Sequence, residues 1–259
     1  MEGELGTPTG EGQQIILHYL RMSIYKGPSA IIPRLQAFID KPEEYISICM
    51  LRKWETWPDG RLTHEMVYVH NKLMIVDDKR VIVGSANIND RSMLGSRDSE
   101  LAMLIEDELE EVNEVKHFDG ASVVVGKFAR RFRRILMAEH LGVLSKEQRA
   151  NADWDLALLD DPVGDDFFHG VWVACASKNA EIMEEVFLSI PSNNLKTFQH
   201  IINRRTLIPM SRSDPDNAKN KLNHHRGQLE IFPADFLSNE NLLPSWYSVN
   251  NMVPTETWT

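Results

Sequence analysis

The sequence predicts one α/β unit, a mixed β-sheet flanked by helices. Three observations carry this. Short β-branched runs between residues 44 and 106 are bounded by polar turns. Amphipathic helical patterns precede and follow them. No internal repeat or clear linker divides the 259 residues, a length that suits one large domain or two small ones.

Taken in order, residues 1–12 (MEGELGTPTGEG) read as a disordered leader. They have neither a basic n-region nor an apolar h-region, so they do not read as a signal peptide. Residues 13–39 carry one or two helical patterns broken at Gly27-Pro28. EYISICMLR is a buried strand between Pro42 and the polar turn KWETWPDG. EMVYVHNKLMIVDD and RVIVGSAN are two further strands that meet across DDKR as a hairpin. ELAMLIE is a fourth. The acidic run EDELEEVNEV, with six carboxylates from Glu106 to Glu114, reads as a solvated loop or helix face. GKFARRFRRILMAEHLG is an amphipathic helix bearing Lys127, Arg130, Arg131, Arg133 and Arg134 and ending near Gly142. Further helices follow over 151–187. Residues 209–227 are a polar, proline-interrupted loop with a short helix, and a late strand precedes an irregular end. The leader aside, residues 13–259 form one unit.

Composition is that of an ordinary globular chain, 42% hydrophobic and 25% charged. The net charge of −10 and pI near 5.4 argue against a general nucleic-acid binder but leave room for a local basic pocket. Cys49 and Cys175 lie in apolar surroundings and read as buried thiols of a reducing compartment. No stretch approaches the roughly 20 apolar residues of a membrane span.

One apolar run, VHNKLMIVDDKRVIVGS, holds a histidine and a lysine two residues apart. In a strand, residues i and i+2 share a face, so His70 and Lys72 are expected side by side with Tyr68. A fixed ammonium neutralises a phosphate, and an imidazole attacks phosphorus or transfers a proton near neutral pH. Asp77 closes the strand. Gly84 then lets backbone approach a ligand, and Ser85 and Asn87 offer neutral donors to phosphate oxygens. In RDSE, Glu100 is a carboxylate able to hold a histidine in one tautomer. Each piece alone has an ordinary structural explanation. The combination H-x-K-x4-D followed by G-S-x-N reads as a phosphate-ester site.

YVHNKLMIVDD with VIVGSANINDRSMLGSRDSE resembles the second catalytic motif of the phospholipase D superfamily. YISICMLR, FFHGVWVACASKNAEIMEEVF and the terminal Trp258-Thr259 are similar to the C-terminal portion of the animal enzymes that carry PX and PH domains. The resemblance implies one half of a bilobal fold and cleavage of phosphatidylcholine to phosphatidic acid and choline through a phosphohistidine, with no metal or cofactor at the centre. It implies that His70 is the acid/base partner and that Lys72 binds phosphoryl oxygens. Ser85 and Asn87 support the same pocket, Glu100 orients a histidine, and Asp77 is a structural hydrogen-bonding residue of the motif.

No other histidine is followed two residues on by lysine, so the chain holds one motif where that chemistry uses two. It is expected to be a fragment, a short isoform or a truncated gene product. Three outcomes are open: half of a catalytic domain completed by a first-motif half, a homodimer that supplies His70 twice, or an inactive interaction module. The expected partners are a phospholipid membrane surface and that other half or second copy, with a phosphoinositide and small GTPases as regulators by resemblance, and no nucleic acid. The expected location is cytoplasmic and peripheral on membranes. The basic helix at 127–134 either touches anionic lipid or packs with its arginines paired to carboxylates.

Overall fold

The computed structural model describes residues 10–117, 121–244 and 246–253. Residues 1–9 of the expected leader, and Trp258-Thr259, lie outside the described residues. Glu11 and Gly12 already belong to the first helix, α1 (Glu11–Arg21), which is followed by α2 (Ile31–Gln36).

The expected mixture of strands and flanking helices is present, with the strands of the described residues divided among three antiparallel sheets. The first has the order β2-β1-β8, from Cys49–Thr56 (β1), Leu62–Val67 (β2) and Leu229–Ile231 (β8). The second has the order β3-β4-β5, from Leu73–Val76 (β3), Arg80–Gly84 (β4) and Ala102–Glu106 (β5). A short helix, α3 (Asp90–Met93), lies between β4 and β5. The third pairs Leu109–His117 (β6) with Ala121–Gly126 (β7). β1 runs farther than expected, through Thr56, because Trp54 pairs with His64 across the sheet and packs against α7 (Ala174–Phe187).

Two sequence expectations are corrected here. The run 65–78 is not one strand: β2 ends at Val67 in one sheet, β3 starts at Leu73 in another, and residues 68–72 form an extended link between them. The acidic run is not one loop or helix face: Glu106 ends β5, Asp107 and Glu108 form a short link, and the rest lies in strand β6. The β-branched sequence Val123-Val124-Val125 supplies its partner edge, and cross-strand pairing overrides a reading based on charge.

The hairpin expected across DDKR is observed. Lys79 N–H donates to Val76 O, and Asp77 and Asp78 both take positive φ, a conformation that Asp tolerates better than most residues. Asp78 then reaches α4 (Lys127–His140), where its two oxygens accept from Nε and Nη2 of Arg133 at 2.7 Å each. Asp107, from the acidic run, accepts from the backbone N–H groups of Phe128 and Ala129 and so caps the first turn of α4. Arg130 and Arg134 share Asp160. The basic helix therefore turns most of its arginines toward carboxylates, as the packed alternative requires, while Arg131 stays exposed.

Gly142, at φ +67, ends α4 against Gly227. A Cβ on Gly227 would lie 2.0 Å from His140 O, so this crossing requires glycine. Beyond it come α5 (Lys146–Ala150), the short α6 (Asp165–Phe167), and a wider helical stretch, Phe168–Val173, that runs into α7. α8 (Phe198–Arg205), α9 (Met210–Ser213) and α10 (Pro215–Leu222) follow, so the expected polar loop at 209–227 holds two helices. Leu141, Phe167, Val171 and Ala176 form the main core with Leu229 of β8. On the other face of the same sheet Arg52 donates from Nε to Glu230 at 3.0 Å, both side chains about 1% exposed. Among the described residues no helix is long and apolar enough to cross a membrane.

The sheet β3-β4-β5 differs from the rest. Met74, Ile82 and Leu104 are cross-strand neighbours in one row, and they remain 48%, 37% and 55% exposed. Three large apolar side chains thus face outward in one row.

Candidate active site

An open cleft of about 820 Å³ lies where the link 68–72 meets the ends of β4 and β5. The link contributes His70, Asn71 and Lys72; β4 and the residues after it contribute Gly84, Ser85 and Asn87; the approach to β5 contributes Arg97, Asp98 and Glu100. His70 and Lys72 both line the cleft, although the segment that carries them lies outside the strands. Its residues are placed by their neighbours. Gly84 N–H donates to Lys72 O at 3.2 Å, one step beyond the end of the β3-β4 ladder. The Tyr68 and His70 rings stack with centroids 6.0 Å apart.

The glycine of GSAN has a different use from the one expected. A Cβ at Gly84 would fall 2.4 Å from Leu101 O and 2.7 Å from Ala102 Cα. Glycine is needed for β5 to approach β4, and that approach brings Glu100 beside Ser85. The Ser85 hydroxyl donates to Glu100 Oε2 at 2.5 Å and accepts from Leu101 N–H at 2.9 Å. Its one proton is therefore committed to the carboxylate. Hydrogen bonds from Ser85 and Ser92, then the positive charges of Lys72 and Arg91, hold the Glu100 carboxyl below the usual carboxylate range. Glu100 is thus an anion anchored on Ser85 rather than on His70.

Lys72 Nζ donates to the carbonyl of His70 at 2.6 Å. Asn87 is fixed through its backbone, whose N–H donates to Ser92 Oγ at 3.0 Å. Asn89 accepts from Ser92 N–H and caps α3. Its carboxamide unpaired among the described residues, Asn87 lines the cleft.

The structure does not bring Asp77 to the cleft. It sits at the far turn of the hairpin, and the ion pair there is made by Asp78. Conversely, sequence reasoning passed over Arg97. It lines the cleft half-buried, no carboxylate pairs with it among the described residues, and its Nη1 is buried without a hydrogen-bond partner. Its neighbour Asp98 is already engaged by Arg91 at 2.8 Å. The available signal was an arginine three residues before Glu100 in RDSE.

The cleft combines an imidazole, an ammonium, a guanidinium, carboxamides and an anchored carboxylate around open space, a set suited to an anionic ester. Comparison with known proteins agrees. The family model described as Phospholipase D matches residues 40–155. Phospholipase D1 of Mus musculus is 40% identical over 262 residues, which cover all of this chain and 23% of that protein. Phospholipase D2 of Bos taurus is 38% identical, covering all of this chain and 26% of that protein. Phospholipase D zeta 1 of Arabidopsis thaliana is 34% identical over 88% of the chain and 22% of its own length. The chain thus spans about a quarter of the length of the curated relatives it matches. By its motifs, by the family match and by identity that runs through its whole length, the chain belongs to the phospholipase D superfamily.

Proposed function

We propose that this chain supplies half of an active site that cleaves phosphatidylcholine to phosphatidic acid and choline. The observation that carries this reading is the cleft that gathers His70, Lys72, Ser85, Asn87 and Glu100. A histidine nitrogen of the other half attacks phosphorus, forming P–N and breaking the P–O bond to choline. His70 gives its proton to the departing choline oxygen. It then takes a proton from water, whose oxygen attacks phosphorus and breaks P–N to release phosphatidic acid. A primary alcohol in place of water yields a phosphatidyl alcohol. Lys72 holds non-bridging oxygens throughout, Asn87 donates to them, and Glu100, fixed by Ser85, orients a histidine. Asp77 serves the motif structurally, at the turn.

In-line displacement places nucleophile and acid on opposite sides of phosphorus, so one histidine cannot fill both roles. The outward row Met74, Ile82 and Leu104 supports a partner half packed beside the cleft. The working form is cytoplasmic and peripheral on a phospholipid surface, with a phosphoinositide and small GTPases as regulators by family resemblance.

The test is transphosphatidylation in phosphatidylcholine vesicles with a primary alcohol, the chain alone and mixed with a separately expressed first-motif half. Product is expected in the mixture. Product from the chain alone identifies a second copy as the source of the other histidine. No product under either condition overturns the reading.

A further inference from the structure

We infer that Arg97 is a second cationic phosphate ligand of this cleft, taking non-bridging oxygens of the phosphodiester alongside Lys72. The inference rests on the reading of the cleft as a phosphodiester site and adds a residue to it.

The argument begins with charge. Lys72 and Glu100 line the same cleft with opposite charges. Asp98 is offset by Arg91 at 2.8 Å. Among the described cleft residues, Arg97 is then the cation left over. A phosphodiester carries one negative charge, and the surplus guanidinium matches it.

Hydrogen bonding points the same way. Lys72 Nζ already spends one of its donors on the His70 carbonyl at 2.6 Å. The Ser85 proton is committed to Glu100. Fewer donors remain for phosphate than the motif implies. Arg97 brings a planar fork, and its Nη1 is a buried donor without an acceptor. Leaving such a donor unpaired is costly, and a guanidinium recovers most from two parallel bonds to an oxyanion. Arg133 and Arg52, by contrast, each meet a carboxylate, Asp78 and Glu230.

The experiment titrates the full chain with inorganic phosphate and follows the ring proton resonances of His70. Binding to the cleft is expected to move them saturably. Arg97→Gln should weaken phosphate at least about tenfold, the usual effect of losing charge-assisted bonds. Arg97→Lys should recover part of that loss by restoring charge without the fork. Lys72→Gln, run in parallel, should also weaken binding. Arg97→Gln chains that bind phosphate as tightly as the unaltered chain overturn the inference. If Lys72→Gln still weakens binding in that case, the phosphodiester reading stands and only Arg97 falls. If neither change matters, or the unaltered chain shows no saturable shift, both fall. Should Arg97→Gln lose its dispersed backbone amide spectrum, the lysine variant decides, and unchanged affinity there counts against the inference.

Discussion

Acid weakens this fold through histidines that it buries uncharged. His225 is 7% exposed, its Nε2 has no partner, and burial, assisted by the charge of Arg52, lowers its pKa from 6.5 to about 4. His64 Nδ1 accepts from Arg52 Nη1 at 3.0 Å, and it is likewise lowered to about 4, by burial first and Arg52 second. Between pH 6.5 and 4 the unfolded chain binds protons that the folded chain refuses. Stability contributed by each histidine is complete above pH 6.5 and is lost as the pH falls through that window. Integrated from pH 7.5 to 5.0, the loss for His225 is roughly 2 kcal/mol. His64 is more open to solvent and contributes less, about 1 kcal/mol after screening. His18 and His140, also lowered by burial, slope the same way. Glu230 is raised by burial and slopes in the opposite sense, but it is common to the chains compared. The assay is urea unfolding at both pH values for the unaltered chain and for His225→Leu. The variant should have similar stability at pH 7.5 and should lose roughly 2 kcal/mol less on acidification, a midpoint difference of about 1 M urea. Identical pH dependence in the two chains would refute the assignment of His225 as a buried neutral group.

Three further outcomes follow from the geometry. Gly84→Ala places a Cβ 2.4 Å from Leu101 O, against backbone that cannot swing aside; it should destabilise by about 1–3 kcal/mol and separate Glu100 from Ser85, measured by thermal unfolding and by the titration of Glu100. Arg133→Met leaves Asp78 buried without its cation; a loss of about 3 kcal/mol is expected in chemical unfolding, and the double variant with Asp78→Asn should recover part of it. In the complemented enzyme His70→Asn should abolish phosphatidyl alcohol formation while the unfolding midpoint stays put, and Lys72→Arg should also be severe because a planar fork does not replace a compact ammonium. Near-normal turnover by His70→Asn excludes it as acid/base.

The cleft was largely legible because its chemistry is written in short contiguous pieces. H-x-K, G-S-x-N and R-D-S-E each fix their members locally, and one hairpin and one crossing bring the pieces together. What the sequence concealed depends on distance or on pairing. Val67-Tyr68-Val69 and Leu73–Val76 have the composition of one continuous strand, so the break at residues 68–72 became visible only when each half paired in a different sheet. The acidic charge of 106–114 hid strand β6 because its partner edge lies beyond it in sequence. The ion pair of Asp78 with Arg133 spans 55 residues, and no local pattern predicts which of two adjacent aspartates will make it.

That ion pair has a mechanical consequence. The β3-β4 hairpin is clamped to α4 at its turn, and its other end, about 16 Å away by strand rise, carries Lys72 into the cleft. The β4-β5 ladder holds the same hairpin along its length, from Arg80 to Gly84. Substitutions at Asp78 or Arg133, remote from the cleft, are therefore expected to act on it only through the placement of this hairpin.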